Sequence, residues 1–327
     1  MLQVVTYNLG GAKKLRRPPL HPDVVARDAC QTLCNVIDPQ QPTLIGLQEA
    51  GAIEWASAHE PVNSREETCA ALMRSLGDDF RSDYLPILNT QMYPHAGLWD
   101  RDAYTPQNGH SLHYAAEGNG MVGNLRSVPW PWKHHSGYNP DGTAATSLHP
   151  IITQISTATV YSTGNRDSEP RYLMVASLNH PTYGDLFFMN THIGTITGED
   201  RHDSHHPRSR EGEQIRLQQV REILRVTREL RAAEAHYRRP HRPIILGGDF
   251  NAVPDSQPIQ VLREMFTLLD VDSPADEKWT HCVHKLLIDH ILVSDPAGVL
   301  PPGHAHIITD GPFHDLSDHR AVYAIFE

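Results

Sequence analysis

Several short apolar runs end in residues that can do chemistry. Asn8 follows Val4-Val5-Thr6-Tyr7, and Glu49 follows Leu44-Ile45-Gly46-Leu47-Gln48. His192 closes Met189-Asn190-Thr191-His192, and Asp249 and Asn251 close Ile244-Ile245-Leu246-Gly247-Gly248-Asp249-Phe250-Asn251. Asp318 and His319 open the last apolar run. One such residue alone usually means a cap or a turn; the set together is more specific. Carboxylates such as Glu49 and Asp318, with few soft ligands near them, suit a hard cation such as Mg²⁺, with Mn²⁺ as a substitute. Such an ion is held by one or two carboxylates and keeps waters and substrate oxygens. Asparagine and histidine beside it suit stabilising a phosphate and moving a proton.

Asp289 stands apart because Leu286-Leu287-Ile288 precede it and Ile291-Leu292-Val293 follow closely. Burying a carboxylate there costs several kcal/mol unless a partner meets it. A histidine from another strand is the natural partner, and His319 is the candidate. Asp289 would hold that ring in one tautomer and make it more basic.

The elements that must carry these residues read as follows. Gln3–Asn8, Thr43–Glu49, Asp185–His192, Pro243–Asp249, Lys285–Ser294 and Arg320–Phe326 have the length and Val/Ile/Leu/Phe content of buried strands. Asp23–Val36, Ser64–Leu76 and Arg210–Ala235 carry helical spacing, the second with Ser64 and Glu67 as a capping box. Arg221, Arg225 and Arg228 form a row beside the apolar stripe of the third, which reads as a solvated flank. Residues 89–150, rich in Gly, Pro, His and Trp, read as loops with short strands. Residues 161–171 read as a hairpin turn. Strands mixed with helices and hairpins predict a two-sheet α/β sandwich.

Composition narrows the class. The chain has 327 residues, 39% hydrophobic and 20% charged, which fits a globular protein and not a disordered one. Length alone suggests about two domains, though two-sheet folds of this size often form one. A formal charge of −11 argues against a surface coated in positive charge for sequence-independent DNA binding, and leaves room for an anionic substrate in a local site. The 22 histidines include no terminal run. Cys30, Cys34, Cys69 and Cys282 form no disulfide framework and read as free thiols; a Cys30–Cys34 metal pair lacks two further soft ligands. No apolar run reaches membrane-spanning length. The chain opens directly on a strand, without the regions of a secretory leader. That predicts a cytoplasmic location, or secretion if a leader has been removed.

Taken in order, Tyr7-Asn8, Leu47-Gln48-Glu49, Asn190-Thr191-His192, Gly248-Asp249-Phe250-Asn251, Ile288-Asp289-His290 and Ser317-Asp318-His319 resemble the endonuclease/exonuclease/phosphatase superfamily. Its members include DNase I-like nucleases, abasic-site endonucleases, neutral sphingomyelinases and inositol polyphosphate 5-phosphatases. The resemblance implies one DNase I-like domain over residues 1–327, a four-layered α/β sandwich with two packed mixed β-sheets and a loop-rich aromatic insertion around 89–150. It implies Glu49 as principal metal ligand, with Asn8 and Asp318 completing or supporting the site. Asp249 would orient or activate the attacking water, and Asn251 would hold that water or the phosphate. His319, oriented by Asp289, would act on the phosphate or as general base, and Asp249 and His319 share the proton role. His192 is similar to the second histidine of the DNase I and sphingomyelinase branches. Arg171 matches a segment where relatives often carry an active-site arginine, with a surface role open beside it. Glu117 would orient His192 or be a solvated loop acid. Gly123–Ser127 matches the family's GNAILS-like strand only in part.

The implied activity is Mg²⁺-dependent hydrolysis of phosphodiesters by in-line attack of water. The substrate expected first is nucleic acid, because Lys13, Lys14, Arg16 and Arg17 follow Asn8 closely and could steer phosphate. A phospholipid in a membrane or a small phosphorylated metabolite is the alternative. Trp99, Trp130 and Trp132 could stack bases, touch lipid or fill a secondary core. The loop 198–207, with His202, Asp203, His205 and His206, could cover the site, hold an adventitious metal or stay a mobile surface loop. An inactive scaffold would have lost motif residues, and none is missing. No protein partner is inferable.

Overall fold

The computed structural model describes residues 1–10, 22–57, 64–89, 110–128, 130, 147–156, 169–311 and 317–327. Lys13, Lys14, Arg16, Arg17, Trp99, Trp132 and most of the expected hairpin at 161–171 lie outside these residues.

Strands β1 (Leu2–Asn8), β2 (Thr43–Ser57), β3 (Ser64–Glu67), β4 (Arg81–Asn89), β5 (His110–Gly123), β13 (Gly303–Ile307) and β14 (Val322–Phe326) make one mixed sheet, ordered β13-β14-β1-β2-β5-β4 with β3 on β2. Strands β6 (Arg126–Ser127), β7 (Ile151–Gln154), β8 (Tyr172–His180), β9 (Gly184–His192), β10 (Ile244–Asp249), β11 (Thr267–Leu268) and β12 (Asp289–Ser294) make the other, ordered β11-β12-β10-β9-β8-β6 with β7 on β8. Helices α1 (Pro22–Leu33) and α2 (Thr68–Leu76) cover the first sheet; α3 (Pro207–His236) and α4 (Gln257–Leu262) cover the second.

Strand alternation builds the four layers. In β1, Leu2 and Val4 enter the core between the sheets, while Val5 and Tyr7 pack under α1 and α2. In β10, Ile245 faces the inter-sheet core, and Ile244 and Leu246 face α3 and α4. The same period of two carries Asn8 and Asp249, at the strand ends, onto the facing inner surfaces.

Polar side chains continue this inner face. Asn190 on β9 accepts from Gln48 Nε2 at 2.6 Å and donates to the backbone oxygens of Leu47 (2.9 Å) and Gly120 (2.8 Å), tying the two sheets together. Gly46 makes the approach feasible: a Cβ there would stand 2.7 Å from Asn190 Oδ1.

Four expectations change. Residues 64–67 form β3, paired antiparallel to β2, and the helix starts only at Thr68; sheet pairing overrides the apparent capping box. Within 89–150, β5 is a 14-residue strand between β2 and β4, longer than the short strands expected there, while residues 90–109, 129 and 131–146 lie outside the described residues. Glu117 lies on it, buried, and is no solvated loop acid. Lys285–Ser294 is strand only from Asp289 onward. Trp130 is core, stacked on Phe187 at 5.5 Å between centroids. Arg225 sits on the exposed flank expected of it, paired with Glu222 and Glu229. Among the described residues, no helix is long and apolar enough to cross a membrane.

Candidate active site

Sheet register lines up three of the residues. His192 on β9, Asp249 on β10 and Asp289 on β12 stand side by side across the second sheet. Asn8 comes from the facing sheet, and its Nδ2 donates to Asp249 Oδ2 at 2.8 Å. The pairing joins the ends of β1 and β10 across the inter-sheet seam, where alternation had aimed both.

Glu49 reaches the site against alternation. In β2, Leu44, Gly46 and Gln48 face inward, so a regular strand would turn Glu49 toward the helices. The register instead slips between Leu47 and Ala50, and Glu49 adopts a left-handed backbone with φ 51°. A bulge of this kind re-aims a side chain, and Glu49 Oε1 comes 3.5 Å from Asn8 Nδ2. Asn251 is also left-handed, at φ 47°.

Asn251 is held on three sides. Its backbone N–H donates to Asp249 Oδ1 (2.8 Å), its Nδ2 donates to the backbone oxygen of Ile193 (2.8 Å), and its Oδ1 accepts from Arg201 Nη2 (2.8 Å). Arg201 lies in the 198–207 loop, so that loop reaches the edge of the site. His202, Asp203, His205 and His206 join neither of the metal-capable clusters among the described residues.

His319 occupies the centre. Its Nδ1 lies 2.8 Å from Asp289 Oδ2, and its Nε2 lies 3.8 Å from Asp249 Oδ2 and 3.9 Å from Asp318 Oδ1. Burial alone would lower its pKa; the charges of Asp289 and Asp249 outweigh burial and raise it to about 9. His192 Nε2 lies 3.5 Å from Asp249 Oδ2. Ser317 locks the final loop: its hydroxyl donates to Asn8 O at 2.6 Å and accepts from His319 N at 2.9 Å. Gly10 follows Asn8 with φ 65°, and a Cβ there would strike Asp318 Oδ1 at 2.8 Å.

The residues fit a hard cation. Asp318 Oδ1 and Asp289 Oδ1 are buried with no hydrogen-bond partner, and a buried carboxylate oxygen without a donor calls for a cation, a ligand or a water. Asn8 has less to offer than a free ligand would, because its Oδ1 already accepts from Gly10 N at 2.8 Å and its Nδ2 is engaged by Asp249. Arg171 is buried, pairs with Glu169 at 3.0 Å, and its Nε lies against Gly194.

Two residues escape motif reading. Arg201 sits in a loop with no strand signal around it. His281 forms isolated β-bridges with Leu286 and His319 at the edge of a turn; its Nε2 is 4.0 Å from Asp318 Oδ2 and its ring meets that of His319 edge-on, 4.9 Å between centroids. Burial and the neighbouring His319 lower its pKa to about 4.

Two packed mixed sheets, with a carboxylate–histidine centre at their seam, define a phosphoric ester hydrolase. The sequence model of the Endonuclease/Exonuclease/phosphatase family matches residues 5–319, and the chain belongs to that family. No curated protein sequence matches it. Solved structures with the same fold include the mannosyl-6-phosphatase of Bacteroides thetaiotaomicron (15% identity, TM-score 0.53, 100% of both chains covered). Truncated Caenorhabditis elegans TDP2 shares 14% identity with a TM-score of 0.55, covering 99% of this chain and 96% of that one. The human Nocturnin catalytic domain, solved with bound sulfate, shares 14% with a TM-score of 0.52, covering 100% and 94%.

Proposed function

We propose that the chain is a Mg²⁺-dependent phosphodiesterase acting on nucleic acid. The observation that carries the phosphoester chemistry is the meeting of Asn8, Glu49, Asp318 and His319 from one half of the molecule with Asp249 and Asp289 from the other. Glu49 and Asp318 would hold the cation, with Asn8 bracing Glu49 against Asp249. The ion supplies charge neutralisation on the phosphate and a more acidic bound water.

The protein's own groups divide the remaining work. Asp249, fixed by Asn8 and the Asn251 backbone, orients the attacking water. His319 carries or passes the proton at Nε2, because Asp289 engages Nδ1 and holds the ring. Asn251 has one Nδ2 hydrogen left for water or phosphate after the bond to Ile193 O. His192 adds a second imidazole beside Asp249. Nocturnin's bound sulfate, a tetrahedral anion like phosphate, supports the oxyanion reading.

A small phosphorylated metabolite is the second reading. It is favoured by the mannosyl-6-phosphatase that matches over the full length of both chains. The test is a panel with Mg²⁺, Mn²⁺ and chelator: plasmid and single-stranded DNA, RNA, sphingomyelin vesicles, inositol phosphates, sugar phosphates and simple diesters. Turnover restricted to DNA or RNA supports the first reading, and turnover restricted to sugar or inositol phosphates replaces it with the second. Activity that survives complete chelation would sink the metal mechanism.

A further inference from the structure

His281 is an imidazole that the scheme above leaves idle. The backbone holds it from both sides: Cys282 N donates to Asp318 O at 2.8 Å, Arg320 N to Thr280 O at 2.8 Å, and His281 N to Leu286 O at 2.9 Å. Thr280 next to it accepts from the backbone N–H groups of Ile288 (3.0 Å) and Asp289 (3.1 Å). The ring position is therefore set by the same segments that set Asp318, His319 and Asp289.

A backbone contact also assigns its hydrogen. His284 N donates to His281 Nδ1 at 3.1 Å. A neutral imidazole that accepts at one nitrogen carries its hydrogen on the other. Nε2–H is thus a donor, and it cannot at the same time be a metal ligand. It faces Asp318 Oδ2 at 4.0 Å, beyond hydrogen-bond length. A nearly buried N–H thus stands beside Asp318 and His319 without a hydrogen bond to that carboxylate.

We propose that His281 is a substrate-binding residue whose Nε2–H donates to a non-bridging oxygen of a phosphoryl group bound in front of Asp318 and His319. The inference rests on the phosphoester reading and adds to it a neutral donor beside Asp318. A neutral donor stabilises developing oxyanion charge without competing with the cation for Asp318.

The test uses the full chain with inorganic phosphate and Mg²⁺ as probes. His281→Phe keeps a ring without the N–H, and His281→Gln keeps an N–H near the Nε2 position. His281→Phe is expected to weaken phosphate binding about tenfold or more, by calorimetry in the presence of Mg²⁺. It should lower kcat/KM on bis(p-nitrophenyl) phosphate about 10²-fold or more. Mg²⁺ affinity of the substrate-free protein should stay within about twofold of wild type, and His281→Gln should recover most of both losses. Nitrogen NMR of the labelled protein should find the His281 hydrogen on Nε2. Unchanged phosphate affinity, a fall in Mg²⁺ affinity that matches the loss of activity, or a hydrogen on Nδ1 overturns the proposal. A wild-type protein that binds phosphate through His281 yet cleaves no nucleic acid overturns the substrate reading and leaves this one standing.

Discussion

His319 Nδ1 lies 2.8 Å from Asp289 Oδ2, and both side chains are buried. The two residues are 30 positions apart, and the pairing joins strand β12 to the loop that enters β14. It satisfies a carboxylate that would otherwise sit uncompensated among Ile288, Ile291 and Leu292, and it leaves His319 Nε2 facing Asp249 and Asp318. His319→Ala is expected to lower kcat by about 10³-fold or more, and Asp289→Asn by about 10²-fold. Steady-state kinetics beside circular dichroism checks this; near-wild-type turnover in both variants would show that the dyad is structural only.

The same pair makes stability depend on pH. The folded protein holds the His319 proton more tightly than the unfolded chain, whose ordinary histidine value is 6.5 against about 9 when folded. The stabilisation is complete below the unfolded value and is lost as pH rises through the folded one. In chelator, Tm should fall between about pH 6.5 and 9, and Asp289→Asn should flatten that fall. A flat wild-type profile would mean that His319 is neutral in the folded state.

Glu49 separates stability from function. Its left-handed backbone costs a non-glycine residue about 1–2 kcal/mol. Glu49→Gly removes that strain together with the carboxylate, so the metal-free variant should melt at or above the wild-type temperature. It should also lose the Mg²⁺-dependent rise in Tm, which for wild type at 100 times Kd corresponds to about 2.7 kcal/mol. Thermal melts with and without Mg²⁺ decide; a variant that keeps the rise shows that the cation sits elsewhere.

Asn190, in the segment that leads to His192, is a tie between sheets. Asn190→Ala removes the side-chain donor from the backbone oxygens of Leu47 and Gly120 in the dry core and leaves the Gln48 amide with Thr6 Oγ1 as its remaining acceptor. At about 1–3 kcal/mol for each group left unsatisfied, the variant should lose several kcal/mol in urea unfolding. A loss under about 1 kcal/mol would mean that water enters the seam and replaces the side chain.

Arg201 fixes Asn251 through one N–H. Burial lowers its pKa while the charge of Asp249 raises it, and burial prevails. Arg201→Ala is expected to lower kcat about tenfold with little change in Tm, and Arg201→Lys to recover only part of it, because lysine lacks the planar fork. Unchanged kinetics in Arg201→Ala would reduce the contact to loop packing.

By itself the sequence determined the core strands, the polar residues at their ends, the order of six motifs and hence the family. These are local signals: an apolar run of five to eight residues reads as a buried strand whatever surrounds it, and period-two alternation explains why Asn8 and Asp249 face each other. Tertiary structure decided the rest. Glu49 reaches the site only through a bulge that alternation cannot reveal, since the slip arises from pairing β2 with β5. Residues 64–67 became strand because β2 offered an edge, which a capping-box pattern does not report. Arg201 stands in a loop and His281 in isolated bridges outside the regular strands, where side-chain direction has no period and follows from contacts made across 50 and 37 positions.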